Sequence, residues 1–233
     1  MTAAPEAAVG GAPGWFGKLP MLGDFASRRL SAPFVTACDA WLSEGVAASR
    51  QQLGEQWLGS YLTAPLWRFA WAPGVVDDAW WYGVLMPSVD SVGRYFPLLV
   101  ALSLPASPTD APGLAALDAL YECMGQAALT NLQPRASLDD FERALAHAGF
   151  AAFAQPADLL ATQRLPGRSR YATPALYSLG QWAAALQAQA QSQQLAGHSL
   201  WWPQTAAGAE HSLSIGPGLP PPQQFVELLL GRW

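Results

Sequence analysis

Gly83-Val-Leu-Met-Pro-Ser-Val-Asp-Ser-Val-Gly93, followed directly by Arg94-Tyr-Phe-Pro97, runs from an apolar stretch through a polar turn into a second apolar stretch. The segments on either side, Trp80–Met86 and Phe96–Leu104, are apolar without alternation, as strands covered on both faces are. The link between them is shorter than the dozen or so residues of a parallel crossover, so they are predicted as antiparallel neighbours. Just before them, in Leu66–Trp71, Trp67, Phe69 and Trp71 alternate with Leu66, Arg68 and Ala70 and give one aromatic face. The simplest arrangement is an antiparallel meander with helices on both faces, an α/β chain of the α+β type.

Outward from that core, Trp15–Leu19 reads as a first strand closed by Pro20-Met-Leu-Gly23. Ser31 is placed to cap a helix with Pro33 in its first turn and Phe34, Cys38, Trp41, Leu42 and Val46 on one face. The pattern continues weakly through Leu53, Trp57 and Tyr61 until Pro65. Residues 106–233 are more helical. Leu117, Leu120, Tyr121, Met124 and Ala128 share a helix face within Leu114–Leu129, and Ser137 with Asp140 forms a capping pattern for a helix that Gly149 can end. Residues 151–180 read as irregular, Trp182–Leu195 as an exposed helix on the rim, and 198–202 and 211–216 as late strands. Pro221-Pro222 opens a final helix with Phe225, Leu228 and Leu229 facing inward. The organisation is a flexible leader over 1–13 and one domain over 14–233, whose motif-bearing part is 14–105.

Composition narrows the function. Apolar residues make up 51% and charged residues 12% of 233, enough to bury a large core, with 11 Trp whose indole N–H groups need partners. A net charge of −5, with eleven scattered Arg and the single Lys18, argues against nucleic-acid binding. No apolar run approaches the roughly 20 residues of a membrane helix, and the first residues lack the features of a signal peptide, so a cytoplasmic protein without membrane insertion is expected. Cys38 and Cys123 fit neither a metal spacing nor a disulfide framework and read as small buried hydrophobes. His147, His198 and His211 form no zinc motif, and Gly-x-Ser-x-Gly is absent. Gly17-Lys18 lacks both the earlier glycine and the following hydroxyl of a phosphate loop, since Ala12 and Leu19 stand there. No cofactor or metal is implied.

Two polar constellations stand out. One is Gly17 to Phe25, where a chain reversal at Pro20 and Gly23 brings Lys18 toward Asp24. The other is Ser88 to Arg94, where Asp90 can accept N–H bonds from its own turn and Arg94 offers a planar fork. Lys18, Asp24, Ser88, Asp90, Gly93 and Arg94 are the candidate site, either a clasp joining two loops or a surface for a partner protein. Neither constellation pairs a nucleophile with a base, so no catalysis is expected.

Gly14-Trp-Phe-Gly-Lys-Leu-Pro-x-x-Gly-Asp-Phe25 with Arg29-Leu30 resembles the opening signature of the TagF (also called ImpM) proteins of bacterial type VI secretion systems. Trp67-Arg68-Phe69, Gly83–Asp90, Val92–Pro97 and Ser199-Leu-Trp-Trp202 follow in that family's order. The resemblance is dense over 14–105 and sparse over 106–195, and the six candidate residues fall on the family's motifs. It implies a longin-like fold and a non-enzymatic accessory protein that restrains assembly or firing after translation. In that role it would bind a component such as the forkhead-associated scaffold protein. Some relatives carry a PP2C-type phosphatase domain, whose metal-binding Asp motifs are not found here. Two other functions remain open on the residues alone: a small hydrolase assembled by the fold from Asp90, His198 or His211 and a serine, and a structural subunit of the apparatus that uses its surplus Trp as an interface.

Overall fold

The computed structural model describes residues 11–147, 161–166, 168–171, 178–204 and 211–233. Its strands are β1 (Gly14–Gly17), β2 (Ala26–Arg28), β3 (Trp67–Trp71), β4 (Trp80–Met86), β5 (Leu98–Leu104), β6 (Ala161–Leu165), β7 (Arg168–Tyr171), β8 (His198–Pro203) and β9 (Ser214–Pro217). The helices are α1 (Ala32–Leu53), α2 (Trp57–Thr63), α3 (Ala111–Thr130), α4 (Leu138–His147), α5 (Leu179–Leu195) and α6 (Phe225–Leu229). Seven of the strands form one antiparallel sheet in the order β2-β1-β5-β4-β3-β8-β9. The expected meander is therefore its centre, β3-β4-β5. The N-terminal hairpin extends it on one side and the late strands on the other.

Period-two alternation sorts the side chains of this sheet into two cores. Trp80, Tyr82, Val84 and Met86 of β4, with Leu98, Val100 and Leu102 of β5, pack under α3 and α4 against Leu117, Leu120, Met124, Phe141 and Leu145. Trp67, Phe69 and Trp71 of β3 point the other way, with Trp81, Leu85 and Leu99. They meet Phe34, Trp41 and Leu42 of α1, Trp57 and Tyr61 of α2, and Phe225 and Leu228 of α6. The fold is thus α+β with helices on both faces. Among the described residues no Trp is exposed: eight are buried, and Trp182, Trp202 and Trp233 are half-buried. Their indoles are tied as buried polar groups must be: Trp41 to Pro220 O (2.8 Å), Trp67 to Leu228 O (2.9 Å), Trp57 to Ser49 Oγ (3.0 Å) and Trp15 to Glu142 Oε1 (2.6 Å). The Trp71 indole nitrogen is buried without a partner.

Local signals place most ends. Ser31 caps α1 by accepting from Phe34 N, and Asp110 and Ser178 cap α3 and α5 in the same way. Ser137 accepts from Asp140 N (3.1 Å) at the start of α4 while its hydroxyl donates to the Asp140 carboxylate (2.6 Å). Two expectations need correction. The continuous helix read through Tyr61 is broken after Leu53, so Trp57 and Tyr61 lie on the separate α2. The stretch read as irregular contains the β6–β7 hairpin, which carries Gln163, Arg164, Ser169 and Arg170 and so has no apolar alternation to betray it. The leader expected over 1–13 lies outside the described residues up to Gly10, and Pro13 is buried, with its carbonyl accepting from Arg29 Nε (2.8 Å). Gly149 also lies outside the described residues. Cys38 is buried in the α1 face, where loss of water pushes its thiol well up, and Cys123 is half-buried.

Candidate functional site

The end of β1 and the β4–β5 connection meet at one corner of the sheet. β1 lies beside β5, with Gly17 paired to Leu98, so Lys18 leaves its strand directly against the loop that precedes β5. Lys18 Nζ donates to Asp90 Oδ2 at 2.6 Å, and both side chains are almost fully buried, 4% and 0% exposed. This differs from the sequence expectation, which brought Lys18 toward Asp24. Asp24 is 80% exposed, binds Phe25 N through Oδ1 (2.8 Å), and reaches Arg94 Nη2 only at 3.8 Å. The physical reason is the β1–β5 pairing: it delivers a second, water-excluded carboxylate to Lys18, where attraction is stronger than at the surface.

Asp90 holds its own turn as well. Oδ1 accepts from Val92 N (3.1 Å) and Arg94 N (2.8 Å), and Oδ2 accepts from Arg94 Nε (2.7 Å) in addition to Lys18. Gly93 sits at φ +85°, a backbone shape costly for other residues, and donates to Asp90 O (3.1 Å) to close the turn. Burial alone raises the Asp90 carboxyl pKa, but the bonds from Lys18, from Arg94 main and side chain and from Val92 outweigh it, and the group is held well below the usual carboxylate range.

Main-chain bonds complete the joint. Ser88 Oγ donates to Lys18 O (2.7 Å), Ser91 N donates to Leu22 O (2.9 Å), and the Arg94 guanidinium donates to Gly23 O. Tyr61 OH donates to Ser88 O (2.9 Å) and accepts from Ser88 N (3.0 Å), fixing the loop to α2. Tyr61 is placed on a helix face by the sequence but not among the candidate site residues. Its signal was a phenol on an apolar helix face, since a buried hydroxyl needs partners. The Leu22 and Gly23 carbonyls leave no signal in sequence. The structure therefore gathers Lys18, Ser88, Asp90, Gly93 and Arg94 into one network, with Asp24 at its solvent edge.

Above this network the two loops carry exposed groups. Phe25 is 46% exposed, stands edge-on to Phe96 at 4.7 Å, and receives Lys18 Nζ over its ring at 4.7 Å. Val92 is 67% exposed. A second ion cluster braces the same hairpin from outside: Glu142 of α4 accepts from Arg29 Nη1 (2.5 Å) and Trp15 Nε1, with Arg28 Nε at 3.8 Å. Burial opposes ionisation of Glu142, but these bonds and the two guanidinium charges lower its pKa. Both carboxyls contribute stability that is present above their unfolded value of about 4 and is lost as pH falls through the folded values. The expected result is an unfolding midpoint that drops below about pH 4, less steeply in Asp90→Asn than in the wild type. Equal slopes in a thermal melt series would show that Asp90 does not couple protonation to folding.

The histidines offered for a hydrolytic site do not reach Asp90, whose bonding partners are cations and main-chain N–H groups. His198 Nδ1 contacts Ala196 O (2.9 Å), and His211 lines a cleft elsewhere, beside α3. No helix among the described residues is long and apolar enough to cross a membrane.

Comparison with known proteins agrees with the motif-bearing part and extends beyond it. The TagF N-terminal domain, type VI secretion system-associated, matches residues 14–148. No protein with a curated description matches. Among solved structures, PA0076 from Pseudomonas aeruginosa PAO1 is 40% identical over 94% of each chain, with a TM-score of 0.72. The chain belongs to the TagF family of type VI secretion system-associated proteins.

Proposed function

We propose that this chain is a non-enzymatic accessory protein that restrains assembly or firing of a type VI secretion system by binding one of its components, the forkhead-associated scaffold protein in the first instance. The observation that carries this reading is the braced corner. A buried ion pair and three hydrogen bonds tie residues 18–25 to loop 88–94, while Phe25, Val92, Asp24 and Arg94 are left outward. A rigid surface with aromatic and aliphatic groups at its centre and one charge of each sign beside them loses little entropy on docking. The Asp90 carboxylate, fully engaged by its own loop and Lys18, is a brace and not a base.

The test is co-purification with the scaffold from the native host, repeated with Val92→Glu and Asp24→Arg. Both positions are exposed, so the melting temperature is expected to stay within about 2 °C while scaffold affinity falls at least about tenfold. Overproduction of the wild type is expected to suppress secretion. If no secretion component co-purifies and overproduction changes nothing, the regulatory role is wrong. Undiminished binding by both variants would move the docking face elsewhere.

A further inference from the structure

On the α3 side of the sheet a cleft of about 610 Å³ shares no described lining residue with the braced corner. The floor is broad, with Trp80 and Tyr82 of β4 and Leu200 and Trp202 of β8, and α5 adds only Gln191 to the described lining. Single hydrogen bonds hold α5 over it, from Trp80 Nε1 to Ser192 Oγ (3.3 Å) and from Thr109 Oγ1 to Ala184 O (3.4 Å). The cleft's size suits a small molecule.

The chemistry of its walls is selective. Trp80 and Tyr82 stack at 5.9 Å and 10°, and Tyr121 meets Trp202 edge to face at 5.0 Å and 74°, so two ring pairs border the space. The Tyr82 hydroxyl is buried with no hydrogen-bond partner of acceptable geometry, although Ser107 lies close enough to act on it. Asp118 of α3 stands exposed at the mouth. Among the described lining residues it is the one carboxylate, and no Lys or Arg faces it there. Ring faces and a lone carboxylate both attract positive charge, and an apolar floor repels hydrated anions.

We propose that this cleft is a binding site for a small organic cation, its apolar body against the half-buried Trp202 ring and its charge toward Asp118. The site goes beyond the docking role and stands or falls separately from it. Benzyltrimethylammonium is the probe, with benzyl alcohol as the uncharged aromatic control, in an NMR titration of the full chain that follows the Trp80 and Trp202 indole N–H signals. Saturable shifts are expected with the cation, and at least about tenfold weaker binding of the alcohol. Asp118→Asn is expected to remove most of that difference. Leu114→Trp, at a half-exposed position that tolerates a larger side chain, is expected to fill the cleft and abolish both titrations with the fold intact. The proposal is overturned if neither indole shifts up to about 10 mM cation. It is equally overturned if Asp118→Asn leaves the cation's affinity unchanged, or if Leu114→Trp binds as the wild type does.

Discussion

Replacing Lys18 with methionine is expected to lower the midpoint of thermal unfolding by roughly 10 °C, among the largest effects of any single polar change in this chain. Methionine keeps the length and apolar stem of lysine but brings no charge, so the Asp90 carboxylate stays buried and loses the closer-held of its two cations. Arg94 remains, yet its side chain is 53% exposed and its attraction is screened by water. Arg94→Ala should therefore cost only a small part of that shift. Removing both members of the buried pair, Lys18→Met with Asp90→Asn, should cost less than the two single changes added together, because neither residue then leaves an unmatched charge. Strict additivity in thermal melts would mean that the 2.6 Å contact contributes nothing of its own and that the loops are held by the main-chain bonds alone.

The same pair marks how far the sequence could be read. Lys18 and Asp90 both stood out as polar residues in apolar surroundings, and the Asp90 turn was legible because its bonds span at most four residues. Their partnership spans 72 residues and depends on β1 docking beside β5, which no local periodicity encodes. Asp24 was the nearer acid along the chain, and chain proximity was misleading. The strands of the meander were readable because apolar runs and short links leave few alternatives. The order of the outer strands was not, since β8 reaches β3 from the far end of the chain. The β6–β7 hairpin was not legible for the opposite reason: its sequence, with Gln163, Arg164, Ser169 and Arg170, has no apolar alternation to read.

Gly17→Ala should destabilise the fold by about 3 kcal/mol or more, read from chemical denaturation. Two costs combine at this position. Gly17 has φ +134°, a backbone shape that alanine adopts only under strain, and its Cβ would collide with Pro97 O, with Leu98 Cα at 3.1 Å behind it. Pro97 O belongs to the backbone entering β5, so relief requires β1 and β5 to separate where their pairing ends. That movement carries Lys18, the next residue, away from Asp90. The strain of Gly17→Ala and the loss of the ion pair are then partly one event, and the double change with Lys18→Met should fall short of the sum by about 1 kcal/mol or more. A full sum would confine the glycine's role to the strand end. A shortfall would show that the close approach of two backbones at Gly17 is what sets the buried pair in register.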